Sequence, residues 1–137
     1  VYKRQAFQWA FNISGGMPLI QTFIVKDTEV ITEGMMVSMD TGEVDKAAHG
    51  DAAIIGIAVH DADNTDDGLT VRVIVNRDAV YSVVDANARA VDADLDLDTA
   101  ATGVTTDSSH TFKVFRDSSA TEPTLVYINA GNHWLDA

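Results

Sequence analysis

Carboxylates are clustered in two places along this chain, and clustered carboxylates are the ligands that calcium prefers. The denser run is Asp92-Ala-Asp-Leu-Asp-Leu-Asp98. A calcium-binding EF-hand loop that began at Asp92 would need glycine at its sixth position and glutamate at its twelfth, where this chain has Leu97 and Gly103. We therefore predict no metal site here but an edge strand, whose aspartates face water and whose alternate apolar residues face inward. Like charges along such an edge discourage pairing with other strands.

The second cluster contains Asp61, Asp63, Asp66 and Asp67, and it fails the same loop template because Arg72 stands at the twelfth position. Its last aspartate is followed by Gly68, and the Asp-Gly pair is a strong signal for a β-hairpin. The sequence therefore predicts a solvated hairpin loop at this cluster, with no metal and no other cofactor.

Histidine is the next residue type to consider, because it performs much of the acid–base chemistry in proteins. None of the four histidines has the i, i+4 spacing of a helical zinc pair; they are His49, His60, His110 and His133. His60 precedes Asp61, and His110 follows Asp107-Ser108-Ser109, but the members of a catalytic triad converge from distant segments. We predict no catalytic residue and no enzymatic activity. A small hydrolase that uses His60 or His110 with a nearby aspartate is the alternative.

The overall composition limits the classes of partner. The 137 residues fit one domain, and the net charge of −12 comes from 17 Asp and four Glu against nine basic residues. Such a surface repels phosphate and anionic lipid, so we expect no direct binding to nucleic acid or membranes. No apolar run reaches the about 20 residues of a membrane helix. An Asp-rich, Lys-poor surface is also typical of proteins from saline habitats.

The start of the chain combines aromatic residues with an unusual pentapeptide. Phe7, Trp9 and Phe11 alternate with less apolar residues, and this period of two places the three aromatics on one face of a strand. We predict an N-terminal arm over 6–18 whose aromatics, together with Trp134 near the other end, contact a partner; core packing is the alternative. Residues 1–5, Val-Tyr-Lys-Arg-Gln, match the translation of a sequencing-transposon end, so we interpret them as adapter-derived and assign 6–137 to a single β domain.

Short apolar runs separated by turn residues predict the elements of that domain. Strands are expected over 7–11, 19–25, 35–39, 54–59, 69–75, 80–84, 111–115 and 124–128. Asp40-Thr41-Gly42-Glu43 has the form of a hairpin turn, and Gly56 within a strand permits close approach of a neighbouring backbone. The alanine-rich stretch near 86–91 predicts one short helical turn. The fold class is therefore all-β, a small antiparallel barrel or sandwich of about eight to ten short strands.

Residues 30–129 resemble the head decoration (cement) proteins of tailed bacteriophages. The likeness rests on Gly34 leading a strand, on the hairpin Asp40-Thr41-Gly42-Glu43-Val44, and on the strand Ile54-Ile-Gly-Ile-Ala58. It continues through Asp67-Gly68 with the strand 71–75, and through the later segments 94–97, 112–117 and 125–129. The stretch from Phe7 to Pro18 does not match the pattern of this family.

The resemblance implies a structural virion protein that binds the outside of an assembled capsid and stabilises it. It implies the major capsid protein as the partner, a homotrimeric state, and a location on the outer capsid surface after synthesis in the host cytoplasm. It implies no enzymatic activity and no cofactor. The alternative is a cellular β-barrel module that binds another ligand or calcium.

Overall fold

The computed structural model describes residues 6–48, 51–63, 69–106 and 110–136, so the interpretation of residues 1–5 lies outside the described part of the chain. The regular elements in these ranges are 13 strands and one 3₁₀ turn at Trp134–Asp136. No helix among the described residues is long and apolar enough to cross a membrane. The strands are β1 (Gln8–Asn12), β2 (Ile20–Ile24), β3 (Val30–Ile31), β4 (Met36–Asp40), β5 (Glu43–Lys46), β6 (Ile54–Ile57), β7 (Ala62–Asp63), β8 (Thr70–Ile74), β9 (Ala79–Val83), β10 (Asp94–Leu97), β11 (Val104–Thr105), β12 (Phe112–Val114) and β13 (Thr124–Ile128).

The strands form antiparallel sheets that stack in a sandwich-like arrangement. The largest sheet has six strands in the order β1-β9-β13-β12-β10-β11, and a three-stranded sheet has the order β5-β4-β6. Two pairs, β2-β8 and β3-β7, complete the set, and a bridge between Ala58 and Val73 links the ends of β6 and β8. The all-β prediction is therefore confirmed in its sandwich form, because the sheets do not close into a barrel within the described residues.

The core lies between the sheets and follows the alternation of each strand. In β8, Val71 and Val73 are buried whereas Thr70 and Arg72 are exposed. Fully burying one such aliphatic side chain contributes about 1.5–3 kcal/mol. The largest fully buried side chain is Tyr81 of β9, which shows that the six-stranded sheet carries much of the core.

The predicted hairpin at Asp40–Glu43 is confirmed. Asp40 pairs with Glu43 across the turn, and the two central residues have positive φ, 54° at Thr41 and 86° at Gly42. Positive φ at both central positions is the type I′ geometry, whose twist matches that of the flanking strands.

Gly56 occupies the close-packed position that its place within a strand predicts. Its φ is +156°, and a Cβ atom built there would lie 2.0 Å from the carbonyl oxygen of Ile74 and 2.8 Å from the hydroxyl of Tyr81. Only glycine therefore fits where β6 meets β8 and the buried Tyr81 ring.

The acidic strand differs from its prediction in two respects. β10 is not an edge, because Asp94 and Leu95 pair with β12 while Asp96 and Leu97 pair with β11. Asp94 is exposed as predicted, but Asp96 is 0% exposed. The Thr111 hydroxyl and the Leu97 backbone N–H donate to the Asp96 carboxylate, and these hydrogen bonds replace the water that it loses.

The helical turn predicted near 86–91 is wrong. The Asp85 carboxylate accepts hydrogen bonds from the Asn87 backbone N–H and from the Arg89 guanidinium, and it fixes the segment in a non-helical turn. The Arg89 backbone then pairs with Ser118 through N–H···O bonds of 3.0 and 2.9 Å. Local side-chain bonds of this kind compete with helix formation, and here they outweigh the alanine content.

Candidate interaction surface

Phe7, the first of the predicted contact residues, lies inside the core. It is 1% exposed, and its ring centroid is 5.4 Å from that of Phe112. Its backbone N–H donates to the Gly34 carbonyl over 3.2 Å, and a Cβ atom at Gly34 would lie 2.7 Å from the Ala6 Cβ. Phe7 is therefore a core residue, and its backbone hydrogen bond holds the start of the predicted arm against Gly34.

Trp9 and Phe11 remain partly accessible, and a bulge interrupts β1 between them. Trp9 is opposite Tyr81 and Phe11 is opposite Val80, so one residue of β1 between them lacks a counterpart on β9. A bulge of this kind re-aims the side chains that follow it. Both aromatics are half-buried, and Phe11 packs edge-on against Phe115 with centroids 5.2 Å apart. The alternation with a period of two residues, which the sequence predicts for the aromatics of this strand, is therefore interrupted at the bulge.

Asn12, which is buried, and Asp78, which is partly exposed, fix the turn that follows β1. The Trp9 indole N–H donates to the Asn12 side-chain oxygen, and the Asn12 amide donates to the Met17 carbonyl, each over 3.1 Å. Asp78 accepts from the Ser14 backbone N–H over 2.7 Å. Hydrogen bonds from the Ser14 side chain and backbone hold the pKa of Asp78 below its ordinary value. The turn is therefore held by both ends.

Trp134 packs against strand β2, through the side chain of Phe23. Its ring is perpendicular to that of Phe23 in β2, with centroids 5.7 Å apart. The preceding residue, His133, is buried and forms a bridge with Ile54 of β6. Trp134 is half-buried, so part of its ring packs within the chain and part faces outward.

Exposed apolar side chains are concentrated in a segment without charge. The 20 residues from Ala6 to Val25 include no Asp, Glu, Lys, Arg or His. We call the exposed large apolar side chains of this segment the neutral surface; they are Ile13, Met17, Leu19, Ile20 and Ile24. Met17 is 83% exposed. Apolar, charge-depleted patches of this kind are typical of the centre of protein interfaces.

Two sets of backbone contacts position the loop that carries Ile13, Met17 and Leu19 of the neutral surface. Leu19 donates to the Asn76 side chain over 2.6 Å and accepts from the Val75 N–H over 2.9 Å, while Ile13 donates to the Asp78 carbonyl over 3.0 Å. Both ends of the loop 13–19 are therefore tied to the connection between β8 and β9. In β2, Ile20 and Ile24 share the face opposite to Phe23, because strand residues alternate.

His60, the leading acid–base candidate, has a structural role in this geometry. The Arg72 backbone N–H donates to its Nε2 over 3.1 Å, so its Nδ1–H donates to the Asp61 carbonyl at 2.9 Å. His110 is exposed, and its Nδ1 is 3.8 Å from the carboxylate of Asp94. His49, Asp66-Asp67-Gly68 and 107–109 lie outside the described residues. Among the described residues, no three acidic or histidine side chains form a metal-ligand set.

The fold defines a class: small all-β proteins built from stacked antiparallel sheets. No family model and no curated protein matches the chain. Among solved structures, the chain is similar to the N base of the head fiber gp8.5 of bacteriophage phi29, with a TM-score of 0.54 and 17% sequence identity. The match covers 81% of this chain and 95% of that chain. At this identity the likeness shows a shared fold.

Proposed function

We propose that this chain is a structural protein of a bacteriophage head that binds the outside of the assembled capsid as a decoration protein. The observation that carries the proposal is the shared fold, which extends over 95% of the N base of a phage head fiber. The resemblance of residues 30–129 to phage decoration proteins supports the same role from the sequence alone.

Binding to the assembled shell would stabilise it by mass action, because a ligand that binds only one state shifts the equilibrium toward that state. A decoration protein at 100 times its dissociation constant contributes about 2.7 kcal/mol for each site. The partner in this proposal is the major capsid protein, and the protein acts as a homotrimer on the outer surface of the virion.

The proposed role is non-enzymatic and needs no cofactor. The adjacent pair His60 and Asp61 supports this view, because both His60 ring nitrogens are engaged with backbone groups. The Asp61 carboxylate accepts the Glu33 backbone N–H over 2.7 Å. These bonds connect β6, β8 and the segment before β4, which is a structural use of residues that could otherwise transfer protons.

We propose that Trp9, Phe11 and Trp134 provide the capsid contacts, since each is an aromatic side chain that remains partly accessible. Aromatic anchors dominate the free energy of many interfaces. In a binding assay with purified capsids, Trp9→Ala should weaken affinity by about tenfold or more, equivalent to about 1.4 kcal/mol. Val84→Ala is the control, because Val84 is exposed and follows β9. Equal affinities for the two variants would remove Trp9 from the contact.

A further inference from the structure

The charge distribution of the chain restricts how two copies of it can meet. Each copy carries a net charge of −12. Electrostatic repulsion is screened over about 8 Å at physiological ionic strength, so carboxylates that face each other at a contact still repel. Copies of this protein can therefore pack closely only where the facing surfaces lack acidic side chains.

The neutral surface comes closest to this condition, because its own segment contains no acid, whereas four of the other five exposed large apolar side chains of the described residues each neighbour an acid in the sequence. Val30 follows Glu29, Val84 precedes Asp85, Val91 precedes Asp92, and Leu135 precedes Asp136. No residue of the neutral surface has a charged neighbour in the chain.

Charged side chains of both signs border the neutral surface. The Asp78 carboxylate lies at the loop 13–19, where it accepts the Ser14 backbone N–H over 2.7 Å. Arg72 is exposed in β8 and pairs with Thr22 in the middle of β2, so it adds a positive charge beside that strand.

The backbone of β2 also bears on how two copies can meet. On one side β2 pairs along its length with β8, and on the other the described residues provide one bridge, between Val25 and Val44. Natural proteins protect such edges with charges or by making the strand short. β5 has Glu43, Asp45 and Lys46, and β11 has two residues, but β2 has five residues and no charge, as does β1 at the end of the six-stranded sheet. An uncharged edge of this length is suited to association.

We propose that the neutral surface is where copies of this chain contact one another. A foreign partner could use the abundant carboxylates of this protein through complementary positive charge. A second copy has the same negative charge, so contact between copies favours a face without acids. The inference deepens the homotrimer of the proposed function and rests on that function for its biological meaning.

Sedimentation equilibrium of the purified full chain tests this proposal without any capsid. Ile24→Asp and Val91→Asp form a matched pair, because the two side chains are 50% and 49% exposed and each variant gains the same charge. We expect the wild type and Val91→Asp to associate with equal affinity, and Ile24→Asp to associate at least about tenfold more weakly. Met17→Asp should weaken association in the same way. Because Met17 is more exposed than Ile24, this variant should fold even if Ile24→Asp does not.

A wild-type protein that stays monomeric up to about 1 mM would overturn the proposal. So would equal association of Met17→Asp and Val91→Asp in variants with unchanged melting temperatures. Failure of the contact between copies can be distinguished from failure of the proposed capsid role. A monomer that still binds capsids refutes only the contact between copies, whereas an oligomer that ignores capsids refutes only the capsid role.

Discussion

Thr41 occupies a backbone conformation that β-branched residues rarely adopt. Its φ of 54° is imposed by the type I′ turn, in which asparagine is preferred at the same position. Thr41→Asn should therefore stabilise the protein by about 1 kcal/mol, which is the lower range of such backbone strain, and chemical denaturation measures this change.

Thr41→Val is the contrasting variant for this turn. It keeps the β-branch and loses the hydroxyl that donates to Asp40 over 2.9 Å. Its free energy of unfolding should be no higher than that of the wild type. If Thr41→Asn is no more stable than Thr41→Val, the strain assigned to this turn is absent.

Gly56 provides the most severe single-residue test of the packing. Gly56→Ala places a methyl group against the Ile74 carbonyl, and such overpacking costs about 1–3 kcal/mol or more. Gly15→Ala is the matched control, because Gly15 also has positive φ, +87°, but nothing within 4 Å of the added Cβ. We expect Gly56→Ala to be clearly less stable in urea; equal losses in both variants would contradict the close approach.

Some residue-level features follow from local sequence, and others depend on distant partners. The hairpin at Asp40–Glu43 and the role of Gly56 were predictable, because glycine acts through its own backbone. The burial of Asp96 was not, because it depends on Thr111 from another strand. The sequence left Phe7 open between partner contact and core packing, because its contact with Phe112 arises only in the folded sheet.

At the scale of elements, the Asp85–Arg89 ion pair holds the connection between β9 and β10. Burial alone would raise the pKa of Asp85, but the hydrogen bonds and charge of Arg89, with further hydrogen bonds from Asn87, lower it below its ordinary value of 3.8. The folded-state pKa is depressed, so this contribution to stability is complete above about pH 4 and disappears as the pH falls through the folded-state pKa.

Asp85→Asn should therefore lower the free energy of unfolding by about 2–3 kcal/mol at pH 7, because both side chains are largely buried. The difference from the wild type should shrink as the pH falls below 3.8 and through the depressed folded-state pKa of Asp85, because the carboxylate is then protonated in the folded state as well. Asp27→Asn, at an exposed position, is the control and should change little over the same pH range. An Asp85→Asn deficit that stays constant between pH 7 and pH 3 would refute the role of the charge.

The C-terminal 3₁₀ turn is joined to β2 by the pair of Trp134 and Phe23. Trp134→Ala should destabilise the isolated protein by about 2–3 kcal/mol, somewhat less than for a fully buried tryptophan. Leu135→Ala removes an exposed neighbour and should change stability by no more than about 0.5 kcal/mol. Thermal unfolding of the two variants gives the comparison, and equal melting temperatures would mean that Trp134 serves only as an outward contact.

The sequence predicted most of the long strands, because turn residues separate their apolar runs. It failed at 86–91, where an aspartate and an arginine four residues apart form a turn instead of a helix. The neutral surface could have been predicted from a 20-residue segment without charge. The sequence prediction for that segment instead used the alternation of its aromatic residues. Only the fold shows that both ends of the loop 13–19 meet the β8–β9 connection.

At the scale of the whole molecule, acidic side chains are absent from the N-terminal segment that carries five of the ten exposed large apolar side chains of the described residues. The first 20 described residues carry no charge, whereas all 21 acidic residues follow them. In a layer of decoration proteins, this arrangement would join neighbouring copies through the neutral surface. It would also leave acidic faces toward the solvent, where they keep particles apart.

The central claim is that the protein binds the outside of an assembled phage capsid, and co-sedimentation with capsids tests it most directly. Expanded capsids are assembled from the major capsid protein encoded in the same genome, mixed with increasing amounts of this protein, and separated on a density gradient. We predict saturable binding to the capsid band and a higher melting temperature for decorated capsids than for bare ones. A protein that stays at the top of the gradient at every concentration, with unchanged capsid melting, would contradict the account.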